Sequence, residues 1–96
     1  PKVAVPALTA ALTDKHPGVR GDVAHALAKF KDKAKGAVPA LTKMLKDADH
    51  GVRVHAAEAL WEIDGNDKLV LPVLIEGLKN DDPFVRGDAA HTVSYT

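Results

Sequence analysis

The chain has 96 residues, and its 13 basic and 13 acidic side chains give a formal net charge of +0. No global field therefore attracts nucleic acid or an anionic membrane. The absence of cysteine excludes disulfides and thiol chemistry, and no apolar run approaches the roughly 18 residues that a membrane-spanning helix needs. Nothing in the sequence indicates a cellular compartment.

A spacing of 33 residues runs through the whole chain. A proline recurs at this spacing, as Pro6, Pro39 and Pro72. A Val-Arg step does the same, as Val19-Arg20, Val52-Arg53 and Val85-Arg86. A fixed period of this size is typical of stacked supersecondary units. We therefore predict a single domain of three repeats, approximately residues 1–33, 34–66 and 67–96, and we expect it to be a piece of a longer array.

The first repeat is predicted to form two amphipathic helices, A and B. Helix A covers residues 3–13, with Pro6 in or near its first turn. Helix B begins at Pro17 and ends near residue 30, and its helical spacing turns Val19 and Leu27 inward. Residues 31–35 form a polar linker.

The second repeat follows the same plan. Its helix A is predicted over residues 35–46. Asp49 is a candidate N-cap for helix B, because its carboxylate can accept hydrogen bonds from free N–H groups of the first turn. Gly65 supplies a left-handed cap after the last residue of that helix, and residues 66–68 form the next linker.

The third repeat has the most apolar helix A, over residues 69–79. Ile75 occupies the outward column that Thr9 and Thr42 occupy in the other repeats. It is either a contact point for a partner or an ordinary apolar surface residue. Asp82 and Pro83 open the last helix B as N-cap and first helical residue.

The recurring motif resembles the HEAT repeat, in the short form found in phycobilisome-lyase-type proteins. The residues that carry the resemblance are Val38-Pro39-Ala40-Leu41, Leu45, Asp47, Val52-Arg53, Ala56-Ala57 and Ala59-Leu60. The resemblance implies an all-α fold, an α-solenoid of three stacked helix pairs in which helix B lines a concave surface. It also implies a scaffold or binding role, with a few enzymatic exceptions.

An acidic or amide residue precedes each arginine of the Val-Arg steps by six positions. The pairs are Asp14 with Arg20, Asp47 with Arg53, and Asn80 with Arg86. In HEAT-like families such residues resemble a structural ladder between repeats, since a guanidinium can bind loop carbonyls and a carboxylate together. The alternative is a site for phosphate or an acidic ligand. Asn80 departs from the pattern, so the third rung uses Asp81 or Asp82 instead, or is weaker.

Two columns of histidine and acid lie on the helix B face opposite the core. They are Asp22, His55 and Asp88, and His25, Glu58 and His91. Within each helix the two columns give a carboxylate and a histidine at i, i+3. This spacing is compatible with metal binding, with recognition of a partner, or with local pairing on a solvated helix.

The metal interpretation has the least support. HEAT-like deoxyhypusine hydroxylase holds two irons with His-Glu dipeptides after the Val-Arg step, whereas here Val54-His55 follows that step. We therefore assign no metal and no cofactor, and the six column residues remain candidates only. No nucleophile paired with a base and no Gly-rich phosphate loop is visible in the sequence, so we do not expect an enzyme.

The sequence thus favours a protein-interaction or scaffold module that binds a protein or peptide through helix B, with no nucleic acid and no membrane span. The candidate contact residues are His25, Lys29, His55, Glu58, Trp61, Glu62, Phe84, His91 and Tyr95. Trp61 is either an interface anchor or a filler over Ala28 or Ser94. End-to-end stacking through the terminal repeats is a further expectation. The alternative function is a metal-dependent or bilin-handling accessory enzyme of the lyase-type HEAT group.

Overall fold

The computed structural model describes residues 3–65 and 67–94, without the side chain of Asp67. Within these ranges the chain contains α-helices, one 3₁₀ helix and no strand. The α-helices are α1 (Ala4–Ala11), α2 (Pro17–Ala28), α3 (Val38–Met44), α4 (His50–Asp64), α5 (Asp67–Leu78) and α6 (Pro83–Val93). The predicted all-α fold of paired helices is confirmed, with α2, α4 and α6 as the helix B of each pair.

Each helix B begins at a side-chain cap. Asp49 Oδ1 accepts a hydrogen bond of 3.1 Å from the N–H of Val52, and Asp82 Oδ1 accepts one of 2.9 Å from the N–H of Phe84. Both caps were predicted from the sequence and are confirmed. In the first repeat His16 takes this position, and its Nδ1 accepts from a first-turn N–H at 3.1 Å. These bonds satisfy donors that a helix start otherwise leaves free.

Gly65 ends α4 with a left-handed φ of 69°, as predicted. Its N–H donates to the carbonyls of Leu60 and Trp61 at 3.2 and 3.0 Å. A residue with a Cβ is strained in this conformation, whereas glycine adopts it readily. The cap therefore stops the longest helix of the stack and releases the chain toward the third repeat.

The prediction of a polar linker over residues 31–35 is wrong. Lys31–Ala37 forms the 3₁₀ helix, and α3 begins only at Val38. Ala34 and Ala37 are fully buried on this segment. Both alanines belong to the core cluster, although Ala34 stands between two lysines in the sequence.

The third helix A begins earlier than predicted, because Asp67 and Lys68 already belong to α5. Residue 66, the other part of the predicted linker, lies outside the described residues. Pro72 consequently stands inside α5 and not in its first turn. Pro39, by contrast, lies at the start of α3, where proline costs a helix least.

The core is organised around α4, which packs against α2, α3, α5 and α6. Leu27, Leu41, Leu60 and Leu74 are among its largest fully buried side chains. Val19 was predicted to point inward, but it is 39% exposed, whereas its equivalent in the second repeat is buried. In the second unit the start of helix B lies beside the start of α2, since Val52, Pro17, Gly18 and Gly21 line one groove. No helix in the described part of the chain is long and apolar enough to cross a bilayer.

A glycine allows α5 to approach α4 and α6 closely. A Cβ added at Gly77 would lie 2.8 Å from Val54 Cγ2 and 3.0 Å from Ala89 Cβ. The first distance is shorter than carbon atoms tolerate, the second is tighter than most carbon contacts, and all three positions are buried. The third repeat can therefore seat against the second only because position 77 has no side chain.

We predict that Gly77→Ala destabilises the protein by about 1–3 kcal/mol, as overpacking of a core does. Gly87→Ala is the matched control on α6, because nothing lies within 4 Å of its added Cβ. Helix propensity alone should make that variant more stable by up to about 1 kcal/mol. Urea unfolding of both variants gives the two signs. A stabilising Gly77→Ala would show that the helices are not in this close contact.

We also predict that Leu60→Ala lowers the free energy of unfolding by about 2–5 kcal/mol, since Leu60 is 1% exposed at the centre of α4. Ile75→Ala is the control, because Ile75 is 52% exposed on α5 and should cost less than about 1 kcal/mol. Chemical denaturation of the purified variants measures both. Equal losses at the two positions would contradict the packing of α4.

Candidate functional site

Histidines and acids of helix B contact each other between repeats. His25 Nδ1 on α2 lies 2.8 Å from Glu58 Oε1 on α4, and His55 Nε2 on α4 lies 3.3 Å from Asp88 Oδ2 on α6. The sequence had suggested pairs at i, i+3 along one helix. The observed pairs instead join residues 33 positions apart, one repeat to the next.

Small side chains explain why the pairs cross between helices. A Cβ on Gly21 of α2 would lie 2.8 Å from His55 Nδ1 on α4, so the two helices pass very close to each other. Ala24 and Ala57 on the same helices are fully buried. At this separation a side chain reaches the neighbouring repeat as easily as the next turn of its own helix.

A groove of about 320 Å³ lies on this helix B face. Its lining residues are His25, Ala28, Lys29, Lys31, Glu58, Glu62 and His91. Lys31 Nζ lies 2.5 Å from Glu62 Oε2, which gives a second ion pair between the first two repeats. The groove is thus bordered by residues of all three repeats.

The acids of the groove are less exposed than the side chains that pair with them. The side chains of Glu58 and Glu62 are 17% and 22% exposed, whereas those of His25 and Lys31 are 52% and 66% exposed. Lys29 is also exposed. The part of the groove that meets solvent is consequently rich in nitrogen donors, above acids that already have partners.

The structure places the candidate contact residues in three settings. The groove contains His25, Lys29, Glu58, Glu62 and His91. His55 lines a smaller groove of about 180 Å³, together with Asp22 and the first turns of α2 and α4. Phe84 stands apart, 82% exposed in the first turn of α6, and Tyr95 lies outside the described residues.

Trp61 does not line the groove of about 320 Å³. It is half-buried and packs against the core cluster, a setting closer to the filler hypothesis than to an open anchor. Sequence reasoning missed Lys31 as a groove residue because it lay in a predicted linker. The 3₁₀ helix holds it beside Glu62, which is 31 residues further along and therefore out of register with the 33-residue period.

No three side chains of His, Cys, Asp or Glu converge in a metal-binding group within residues 3–65 and 67–94. The rings of His25 and His55 do come near each other, edge to face with centroids 6.0 Å apart. Each, however, is paired with a different carboxylate. Four of the six column residues therefore pair between repeats, His25 with Glu58 and His55 with Asp88, and the geometry gives no support to the metal hypothesis.

The predicted ladder residues meet between the first two repeats. Arg20 Nε and Nη2 donate to the two carboxylate oxygens of Asp47 at 3.0 and 3.1 Å. Arg20 Nη1 donates to the carbonyls of Asp14 and Lys15 at 2.9 and 3.0 Å. One guanidinium thus binds its own loop and the loop of the next repeat.

The second rung differs because Asn80 stands where a second Asp47 would be. Arg53 Nη1 donates to the carbonyl of Asp47, and Arg53 Nη2 lies 3.2 Å from Glu76 Oε1 on α5. The Glu76 side chain is 61% exposed, whereas that of Asp47 is 14% exposed. Arg53 also contacts the His50 ring. The arginine therefore finds a more solvated acid than Arg20 does.

The loop residues of the ladder share a turn-forming role that does not need charge. The side-chain oxygen of each accepts from the backbone N–H two residues later, at 2.8 Å for Asp14, 2.9 Å for Asp47 and 2.8 Å for Asn80. An amide oxygen forms this turn as well as a carboxylate does. Asn80 thus keeps the loop shape and loses only the charge that would attract Arg53.

A family model for HEAT repeats matches residues 1–50, slightly more than half of the chain. The chain belongs to the HEAT-repeat family. The match identifies the repeat class and not the phycobilisome-lyase type that the sequence resembles. No match was found among curated proteins. HEAT repeats are commonly scaffolds for protein interaction.

Among the described residues of this HEAT stack, the carboxyl group of Asp47 has a clearly shifted pKa. Burial raises the pKa of Asp47, but the hydrogen bonds from Arg20 and from the Asp49 N–H, with the charges of Arg20 and Arg53, outweigh it. The pKa of Asp47 therefore lies below its ordinary value of 3.8. Folding thus favours the ionised form of this side chain.

We predict that Asp47→Asn lowers the free energy of unfolding at pH 7 by about 1–3 kcal/mol, through loss of the charged hydrogen bonds. Asparagine at position 80 already forms the same turn, so the variant removes the charge and keeps the loop. A depressed folded pKa contributes stability that is present above the unfolded pKa and fades as pH falls through the folded one. The deficit of the variant should therefore shrink as pH falls from about 5 to 2.

Urea unfolding across this pH range, on wild type and variant, measures the deficit. Asp14→Asn is the matched control, because no arginine side chain binds the Asp14 carboxylate in the described structure. Its effect should be small at every pH. A deficit of Asp47→Asn that stays constant with pH would contradict the role of charge in the first rung.

Proposed function

We propose that the chain is a protein-binding module that presents the helix B face, as a concave surface, to a segment of a partner protein. The observation that carries the proposal is the groove shared by α2, α4 and α6. It gathers five of the predicted contact residues from three repeats. The family assignment agrees, because HEAT repeats are commonly protein-interaction scaffolds.

The ion pairs between repeats suit this role. His25 with Glu58 and Lys31 with Glu62 join the first two repeats beneath the groove, and Arg20 with Asp47 joins them at the loops. Side chains held in this way lose little conformational entropy when a partner binds. A preorganised surface of modest size can therefore reach useful affinity.

The charges of the groove favour a partner segment that carries carboxylates. Both groove acids already have a partner, His25 for Glu58 and Lys31 for Glu62, and both are less exposed than that partner. Lys29 is exposed and forms no ion pair with any described residue. An acidic side chain of the partner can bind it without displacing an existing pair, whereas a basic one meets a rim of like charge.

We predict that a photo-crosslinking amino acid at position 29 forms a discrete adduct with a partner protein in an extract of the source cells. The same amino acid at position 43, an exposed lysine on α3, is the matched control and should not form it. With that partner purified, Lys29→Glu should weaken binding on the order of tenfold, and Lys43→Glu should not.

Titration calorimetry at two salt concentrations checks the electrostatic part, because the effect of Lys29→Glu should diminish at high salt. An adduct formed equally well from position 43 would contradict the proposal. So would a purified partner whose affinity is the same for wild type and Lys29→Glu.

A further inference from the structure

The groove and the smaller groove of about 180 Å³ follow the same two helices. The C-terminal halves of α2 and α4 contribute to the first, and their N-terminal halves line the second. His25 lines the first groove and His55 the second, and the two rings lie edge to face with centroids 6.0 Å apart. The grooves therefore meet at this ring contact and form one crevice between α2 and α4. Both walls of the crevice belong to the described structure.

The two ends of the crevice differ in charge. At the end near the loops, the smaller groove is lined by Asp22 and Asp49 and by no lysine or arginine. At the other end Lys29 and Lys31 line the groove, whose two glutamates are already paired. A partner that follows the crevice thus meets acids first and nitrogen donors about two helical turns later.

Asp22 and Lys29 mark these two ends on α2. Both side chains are exposed, and neither forms an ion pair or a side-chain hydrogen bond with any described residue. Seven positions are close to two full turns of an α-helix, so the two residues lie on the same side of α2, separated by a rise of about 10.5 Å. Between them the side chains of His25 and His55 are held by Glu58 and Asp88.

The second repeat does not offer the same pair of charges. The positions equivalent to Asp22 and Lys29 are His55 and Glu62. His55 is engaged by Asp88, and Glu62 is engaged by Lys31. A partner can therefore satisfy two opposite charges on α2 without breaking an existing contact, whereas on α4 it would have to displace one.

The acids at the loop end are suited to a cationic side chain and not to a metal ion. No metal-binding group of His, Cys, Asp or Glu is present in residues 3–65 and 67–94. The carboxylate of Asp49 caps α4 by accepting from the N–H of Val52. The carboxylate of Asp22 thus remains available at this end, and a single exposed carboxylate pairs well with a lysine or arginine.

We propose that the partner segment lies extended along this crevice, with a basic residue at Asp22 and an acidic residue at Lys29, three positions apart in its sequence. The inference rests on the proposed function and adds the charge pattern and the conformation of the bound segment. An extended chain advances about 3.3 Å per residue, so three residues cover the rise of about 10 Å. An α-helix, about 10–12 Å across, is too wide for a crevice whose walls nearly touch at Gly21.

The two opposite charges provide specificity more than affinity. A segment with two acids brings a like charge to Asp22, and a segment with two bases brings one to Lys29. Each exposed pair adds little binding energy by itself. The requirement for both signs at a fixed spacing is what separates this partner from any acidic segment.

A displayed library of random peptides, about twelve residues long, tests the proposal on the immobilised 96-residue chain. We expect the selected peptides to carry a basic and an acidic residue separated by three positions more often than by any other spacing. The order of the two residues is not specified, because an extended segment can run in either direction. Selection on the variant Asp22→Lys should remove the enrichment of the basic residue and keep that of the acidic one.

Double-mutant cycles with one selected peptide then assign the contacts. Asp22→Ala should couple to alanine replacement of the basic peptide residue, and Lys29→Ala to replacement of the acidic one, each by about two- to fivefold in Kd. The crossed combinations should show no coupling. Asp81→Ala and Lys43→Ala are the matched controls, since both side chains are exposed outside the crevice. All four substitutions replace exposed side chains, so the fold is preserved.

The outcomes separate this inference from the binding function. Selected peptides that depend on Lys29 but carry no basic residue would overturn the inference and leave the binding function standing. So would a basic residue that couples to a residue other than Asp22, or a spacing of seven positions, which indicates a helical segment. If no peptide is enriched over a surface without the chain, both the function and the inference fail.

Discussion

The guanidinium of Arg20 fixes the position of the second repeat against the first, and the groove depends on that position. Its planar fork binds two carbonyls of its own loop with one nitrogen and both oxygens of Asp47 with the others. The two side chains are 19% and 14% exposed, so water screens the pair only partly. A lysine could not satisfy these four acceptors from one position, because its ammonium is a point donor. The arginine therefore fixes distance and orientation together.

Because the helices B lie in close contact, side chains of neighbouring repeats form one surface. Gly21 and Ala24 allow α4 to lie against α2, so histidines and acids meet from repeat to repeat. The paired side chains leave an open groove bordered by nitrogen-bearing groups. Each exposed pair is worth little to stability. Their main effect is geometric, because they hold side chains of different repeats in one arrangement before a partner binds.

The 33-residue period predicted the stacked architecture, because the same residues recur in every repeat. The caps at Asp49, Asp82 and Gly65 were predicted from the capping preferences of individual residues. The site was harder to predict. Helical spacing describes a single helix, so it indicated pairs at i, i+3. How closely two helices approach depends instead on positions without a side chain, such as Gly21. Lys31 was missed for a similar reason. Buried alanines order its segment, and neither composition nor periodicity indicates that Ala34 faces the core.

The polar contacts between the first two repeats differ from those between the last two, and the difference begins with Asn80. Arg53 binds the 61% exposed Glu76 where Arg20 binds the 14% exposed Asp47, so the ion pair to the third repeat is the more screened of the two. Apolar contact compensates in part, since Gly77 seats α5 directly against Val54 and Ala89. The first two repeats are thus joined by a half-buried bidentate pair, and the last two by close apolar packing with more solvated polar contacts.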